Sequence, residues 1–269
     1  MTRPAPRPGR VLIIAGSDSG GGAGIQADIK TVTALGGFAM TAVTAITVQN
    51  TLGVTGVHPI PLDIIEGQAR AVIDDIGVDA IKTGMLGDAD TVRLVARLLA
   101  EPRAPAVVDP VMMAKGGHAL LADAAVDAVR RDLLPRAALL TPNAPEAAIL
   151  TGLRVETTDD LRRAGDRLLE MGARAVLMKG GHIPGDHLVD ILLTPRGETR
   201  FEGARIQTRS THGTGCTLAS AIAAGLANGQ DLTNAVIAAR AYLVQAIRNA
   251  PGYGAGHGPL DHGWPLRSS

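Results

Sequence analysis

Short apolar runs that stop abruptly in glycine or polar residues set the tightest limit on how this chain folds. Val11–Ala15 reads VLIIA and leaves no polar position to face water, as a strand covered on both faces requires. It breaks into Gly16-Ser17-Asp18-Ser19-Gly20-Gly21-Gly22-Ala23-Gly24, followed by a helical stretch through Leu35. Strand, glycine-rich loop and helix open a βαβ unit. The alternation then recurs: strand Thr41–Val48, helix Leu62–Ile76, strand Ala80–Thr83, helix Asp90–Leu99, strand Ala106–Asp109 and helix Ala122–Leu133. Strand Ala138–Thr141, helices Pro145–Leu150 and Thr158–Met171, and strand Ala175–Lys179 follow. A hairpin-like pair, Leu188–Leu193 and Thr199–Phe201, precedes two final helices, Gly215–Asn228 and Leu232–Asn249. The expected fold is α/β, a mostly parallel sheet with helices on both faces. No linker or composition shift divides it, so residues 10–269 read as one domain.

Composition narrows the function classes. Aromatics are 2% of the 269 residues against 46% hydrophobic, so the core is built from Ala, Val, Leu and Ile. Lys+Arg and Asp+Glu are equal at 26 each, and without a basic tract neither nucleic acid nor an anionic membrane is expected as a partner. One cysteine forms no internal disulfide and fits a reducing, cytoplasmic setting. The basic, Pro-rich Met1–Gly9 reads as a flexible tail, because Val11–Ala15 is too short for a signal sequence. No transmembrane span is expected.

In such a sheet, ligands bind beyond the carboxyl ends of the strands. Small and polar residues collect there: Gly16–Asp18, Gln49-Asn50, Lys82–Met85, Asp109–Met113, Thr141–Glu146 and Lys179–His182. Each has an ordinary structural reading as well; Asn143 and Glu146, for example, are spaced as an N-cap and its N3 partner. Gly22-x-Gly24-x-x-Ala27 mimics a dinucleotide fingerprint, but the next strand ends in Gln49-Asn50 without the acidic residue such a site needs. The loop also lacks the Gly-Lys-Ser/Thr of a P-loop.

Thr211-His212-Gly213-Thr214-Gly215-Cys216-Thr217 carries the strongest chemical signal. A glycine-rich turn entering an Ala-rich helix aims main-chain N–H groups and the positive helix end at an anion. Together with the first glycine loop and polar residues of both signs, it points to a phosphate and a metal. Cys216 lies in the first turn, where a thiol is acidified. It either accepts a proton there or only lines the pocket.

These stretches match a known family. Gly16-Ser17-Asp18, Gly21–Asp28, Val43-Thr44-Ala45, Gln49-Asn50-Thr51, Gly84-Met85-Leu86, Asp109-Pro110-Val111-Met112, Ala114-Lys115-x-Gly117, Thr141-Pro142-Asn143 with Glu146, Met178–His182 and Thr211–Thr217 closely resemble the hydroxymethylpyrimidine/phosphomethylpyrimidine kinases of thiamine biosynthesis. The similarity runs from about Arg10 to Gly256–Pro259. One departure is local: Asp18-Ser19-Gly20-Gly21 stands where the family has Asp-Pro-Ser-Gly.

The resemblance implies a ribokinase-like fold and transfer of the ATP γ-phosphate to 4-amino-5-hydroxymethyl-2-methylpyrimidine, then to its monophosphate. It implies that Gln49 reads the pyrimidine edge while Gly16, Asp28, Met85 and Val111 shape that pocket, with Lys115 toward the second phosphate. Lys179, Asn143 and His212 fall on the nucleotide side, and Asp109 and Glu146 hold Mg²⁺ directly or through water. Gly213, Thr214, Gly215 and Cys216 surround the transferring phosphoryl, with Cys216 as the expected base because sugar kinases of this fold carry Asp there. A homodimer is implied, and K⁺ is a candidate additional cation. The nearest rival is a pyridoxal kinase of the same fold. A sugar kinase is disfavoured by Cys216, and a non-catalytic binder has no use for the phosphate and metal groups.

Overall fold

The computed structural model describes residues 7–112 and 123–267. Among the described residues nine strands form one sheet: β1 (Arg10–Asp18), β2 (Phe38–Asn50), β3 (Gly53–Pro59), β4 (Ala80–Thr83), β5 (Ala106–Val108), β6 (Leu139–Leu140), β7 (Val176–Met178), β8 (His187–Thr194) and β9 (Gly197–Ala204). Their order is β3-β2-β1-β4-β5-β6-β7-β8-β9. The six strands from β2 to β7 in that order are parallel, while β3 at one edge and β8–β9 at the other are antiparallel.

The uninterrupted apolar strands alternate between two cores. In β1, Leu12 and Ile14 face one side while Val11, Ile13 and Ala15 face the other, all fully buried. Over the first core lie α2 (Leu62–Asp75), α3 (Ala89–Leu98), α4 (Asp123–Ala128), α5 (Ala144–Thr151) and α6 (Thr158–Glu170). Over the second lie α1 (Gly24–Ala34), α7 (Thr214–Ala227) and α8 (Leu232–Arg248). A short α9 (Trp264–Arg267) ends the described chain, and its Trp264 packs on the second core. The expected three-layer arrangement is therefore present.

Three local expectations change. β3 was not anticipated; it is an edge strand with a glycine at its start, another inside and a terminal proline, so neither alternation nor an apolar run betrays it. The expected helix through Leu133 ends as a regular α-helix at Ala128, then widens into a π turn (Val129–Leu133) and tightens into a 3₁₀ turn (Leu134–Arg136). Pro135 cannot continue the α-helical ladder there. In the expected tail, Gly9 is buried: its N–H donates to Asn228 Oδ1 and its carbonyl accepts from Phe38 N. Residues 1–6 of that tail lie outside the described residues.

β2 and β4 flank β1 on opposite sides, so the strand order reverses at β1. The loops leaving β1 and β4 diverge at that point and open a crevice at the carboxyl edge. A bulge between Ala15 and Ser17 places Gly16 at its lip.

Candidate active site

One cleft of about 620 Å³ opens along the carboxyl edge, and all six polar clusters read from the sequence contribute to its wall. Gly16, Gln49, Met85 and Val111 line it, together with Asp109, Asn143, Glu146, Lys179 and the Gly213–Cys216 turn. Leu243, Val244 and Ile247 of α8 add an apolar wall that the sequence reading did not anticipate. Lys115 lies outside the described residues.

The turn into α7 is held open by glycine. Gly213 is the N-cap with φ +79°, and a Cβ there would fall 1.8 Å from the Gly22 carbonyl oxygen. Only glycine fits both the left-handed backbone and that contact. A Cβ on Gly215 would lie 3.3 Å from both Asp109 Oδ2 and Lys179 Nζ, so the helix start abuts this ion pair. The first N–H groups of an α-helix lack intrahelical acceptors, and those of α7 sit in the cleft wall beside a lysine.

The first glycine loop behaves differently. Asp18 turns its carboxylate inward and accepts from the N–H groups of Gly20, Gly22 and Ala23 at 2.8, 3.1 and 2.8 Å. Those donors are occupied from within, which removes this loop as a second phosphate nest. Burial opposes the Asp18 charge, but His212 and these N–H groups outweigh it and hold the carboxyl below its usual range.

Lys179 Nζ is 2.8 Å from Asp109 Oδ1 and 3.9 Å from Glu146 Oε2. Thr141 Oγ1 donates to the same Asp109 oxygen. Asn143 and Glu146 form a reciprocal capping box at α5, so the structural and functional readings of that pair coexist. Burial, reinforced by Asp109, pushes the Glu146 carboxyl up to about 7, although Lys179 opposes it. Burial also works against the Lys179 ammonium, but Asp109 and Glu146 raise it overall.

Two carboxylates beside a lysine at a helix start suit Mg²⁺ that arrives with nucleotide phosphates, since this ion keeps waters and takes one or two protein carboxylates. No group of three or more metal-ligating side chains occurs among the described residues, so a self-contained metal cage is not built here.

Two expectations are corrected and a third residue takes unforeseen partners. Asp28 is absent from the cleft wall: it is fully buried beneath it, 2.7 Å from Lys82 Nζ, and accepts from Ser220 Oγ at 2.7 Å. His212 gains partners that the sequence did not show: its Nε2 sits 2.8 Å from Asp18 Oδ2 and 3.3 Å from the Gln49 amide. The Cys216 thiol is not acidified, because burial pushes it up to about 11. Lys82 favours the thiolate, but nearby Asp28 and Asp109 oppose it, and the helix start does not overcome the desolvation.

Lys82 itself was missed as a site residue. Its signal was legible: a lysine inside a four-residue strand with every position buried demands a buried anion. Its neighbours Gly84 and Met85 line the cleft.

The matches to known proteins fall on this framework. The family model described as phosphomethylpyrimidine kinase matches residues 18–261, which include both glycine loops, Lys179 and the carboxylates. The chain belongs to this kinase family. It is 53% identical to the hydroxymethylpyrimidine/phosphomethylpyrimidine kinase of Streptomyces coelicolor over 99% of both chains. Among solved structures it resembles a Clostridium difficile phosphomethylpyrimidine kinase with a TM-score of 0.79 and 41% identity, covering 88% of this chain and 99% of that one. An ADP complex of Bacillus subtilis pyridoxal kinase gives a TM-score of 0.89 and 38% identity, covering 97% and 99%. The fold is thus ribokinase-like, as the sequence resemblance implied.

Proposed function

We propose that this protein transfers the ATP γ-phosphate to the hydroxymethyl group of 4-amino-5-hydroxymethyl-2-methylpyrimidine, and then phosphorylates the monophosphate to the diphosphate. One observation carries the reading: the Gly213–Cys216 turn, Gln49 and Lys179 all open onto a single cleft. The pyrimidine sits at the Gln49 end, under Gly16, Met85 and Val111. Gly16 is small there for a reason: a Cβ would meet Met85 Cε at 2.6 Å and close the crevice.

The nucleotide occupies the other end, with its base against α8 and its phosphates beside Lys179 and Asn143. Asp109 and Glu146 would hold Mg²⁺ directly or through water, where it would neutralise charge on those phosphates. N–H groups of Thr214, Gly215 and Cys216 face the transferring phosphoryl, each well-placed donor contributing roughly 3 kcal/mol to the transition state. Cys216 presents its main-chain N–H and a neutral thiol. In a loose transition state the alcohol proton leaves late, so a strong base is not required. Lys115 contacts the second phosphate in the monophosphate reaction.

The test is ADP release with a substrate panel. Turnover of the pyrimidine and of its monophosphate supports the reading; faster turnover of pyridoxal overturns it in favour of the second reading. That second reading is favoured by the higher TM-score to the pyridoxal kinase.

Residues 10–269 act as one domain, supported by a single sheet that contains every described strand. A homodimer is supported by exposed Ile46, Val48 and Leu52 along β2 and its turn, and light scattering tests it. None of the helices in the described residues is long and apolar enough to cross a membrane, and a cytoplasmic setting rests on the single cysteine. Whether K⁺ contributes is tested by replacing it with Na⁺ in the same assay.

A further inference from the structure

Counting hydrogens around Gln49 settles how its amide is turned. Asp18 already accepts three main-chain N–H groups and carries no proton to give. The His212 nitrogen 2.8 Å from it is therefore the donor, and its hydrogen faces Asp18. The Gln49 atom 3.3 Å from the same nitrogen is placed as the amide Nε2, which would set donor against donor; the amide is therefore turned over, with its oxygen toward His212.

The other end gives the same answer independently. Thr47 Oγ1 has one hydrogen, and the Ser17 carbonyl takes it at 2.8 Å. What remains toward the Gln49 atom 3.1 Å away, placed as Oε1, is a lone pair, so the turned-over amide presents its NH₂ there. The main chain beneath is also pinned. Ser19 Oγ donates to the Gln49 carbonyl at 2.7 Å and accepts from Gln49 N at 2.9 Å. Ser19 is one of the two residues that depart from the family pattern.

We infer that Thr47 and the Asp18–His212 pair lock the Gln49 amide in one orientation, making them the positioning residues that separate 4-aminopyrimidines from 4-oxopyrimidines. The locked amide keeps one N–H and one oxygen lone pair for the ligand, in a fixed order. A 4-aminopyrimidine offers a ring-nitrogen acceptor beside an exocyclic N–H donor. A 4-oxopyrimidine offers a ring N–H donor beside a carbonyl acceptor, the same pair reversed. An amide free to turn over would accept both rings; a locked one accepts one and leaves polar groups unpaired against the other. The hydroxymethyl group, directed to the α7 turn, prevents the ring from turning over to compensate.

The inference rests on Gln49 reading the pyrimidine edge, and the experiment separates the two. The quantity measured is the ratio of kcat/KM for 4-amino-5-hydroxymethyl-2-methylpyrimidine to that for its 4-oxo analogue, in variants whose folding is checked by thermal melting. The wild type is expected to favour the amino ring by about a hundredfold or more, as sites built to pair a polar group do. Thr47→Val and His212→Leu each cut that ratio at least about tenfold, whereas Thr47→Ser retains it. Gln49→Ala abolishes it. Should Gln49→Ala leave the ratio intact, Gln49 is not the edge reader and both ideas fall. Should Gln49→Ala remove the ratio while Thr47→Val and His212→Leu preserve it, Gln49 still reads the ring and the lock alone is overturned.

Discussion

Two lysines at the carboxyl edge of the sheet each hold a buried aspartate, yet they are built for different ends. Lys82, inside β4, meets Asp28 at 2.7 Å with both side chains at 0% exposure. Lys179, just past β7, meets Asp109 at 2.8 Å with 13% of its side chain exposed to the cleft. The first pair is closed: Asp28 spends its other oxygen on Ser220, one helical turn beyond Cys216 on α7. The second is open, with Glu146 nearby and a helix start against it. A sealed pair holds elements together, whereas an unsealed one keeps charge available to a ligand.

The largest effect expected from breaking this comparison is at Lys82. Lys82→Ala strands a carboxylate with no route to water and costs about 3–5 kcal/mol in denaturant unfolding. Lys82→Met combined with Asp28→Leu recovers most of that loss. A cost below about 1 kcal/mol for the single variant would mean that the pair is not sealed.

Lys179→Ala has the opposite signature. It lowers kcat by about 10²–10³-fold while costing less stability than Lys82→Ala, as steady-state kinetics and melting on one preparation reveal. Equal stability losses at the two lysines would erase the distinction.

A buried group hydrogen-bonded to a neutral hydroxyl sharpens the same rule. His262 is 3% exposed, with Nε2 2.9 Å from Thr217 Oγ1, and burial drops its pKa to about 4. Between roughly pH 6.5 and 4 the unfolded chain binds a proton that the folded chain refuses, so stability falls as pH falls through that window. The loss approaches about 3 kcal/mol and disappears in His262→Gln, read as the difference between the two pH–stability curves. Parallel curves would show that His262 is protonated in place.

Smaller effects probe the open pair from the helix side. Gly215→Ala pushes a methyl against Asp109 and Lys179, costing about 1–3 kcal/mol and lowering kcat more than it raises KM for the pyrimidine. Cys216→Ser is the mildest, holding kcat within about tenfold, because a thiol pushed up to about 11 is protonated at neutral pH. A loss beyond about a thousandfold would restore the proton-acceptor role.

What could be read in advance follows the range of the interactions. The parallel core was legible because strands buried on both faces need apolar runs, as in Val11–Ala15 and Val176–Met178. The α7 turn was legible because two glycines before an Ala-rich helix have a local cause. β3 was not, since an exposed edge strand imposes no pattern on Gly53–Pro59. Nor was the separation of the two glycine loops: both read as anion nests, and only the inward turn of Asp18 fills the first.

By itself, the sequence determined the strand–helix alternation, the edge on which chemistry gathers and the phosphate-facing turn, because each arises from neighbours a few positions apart. The tertiary structure alone decided that Asp28 lies beneath the floor with Lys82, 54 positions away, and that His212 meets Gln49, 163 positions away. Charge pairing and amide orientation depend on which groups meet across the sheet, and a buried charge or donor must find its partner wherever the fold brings one.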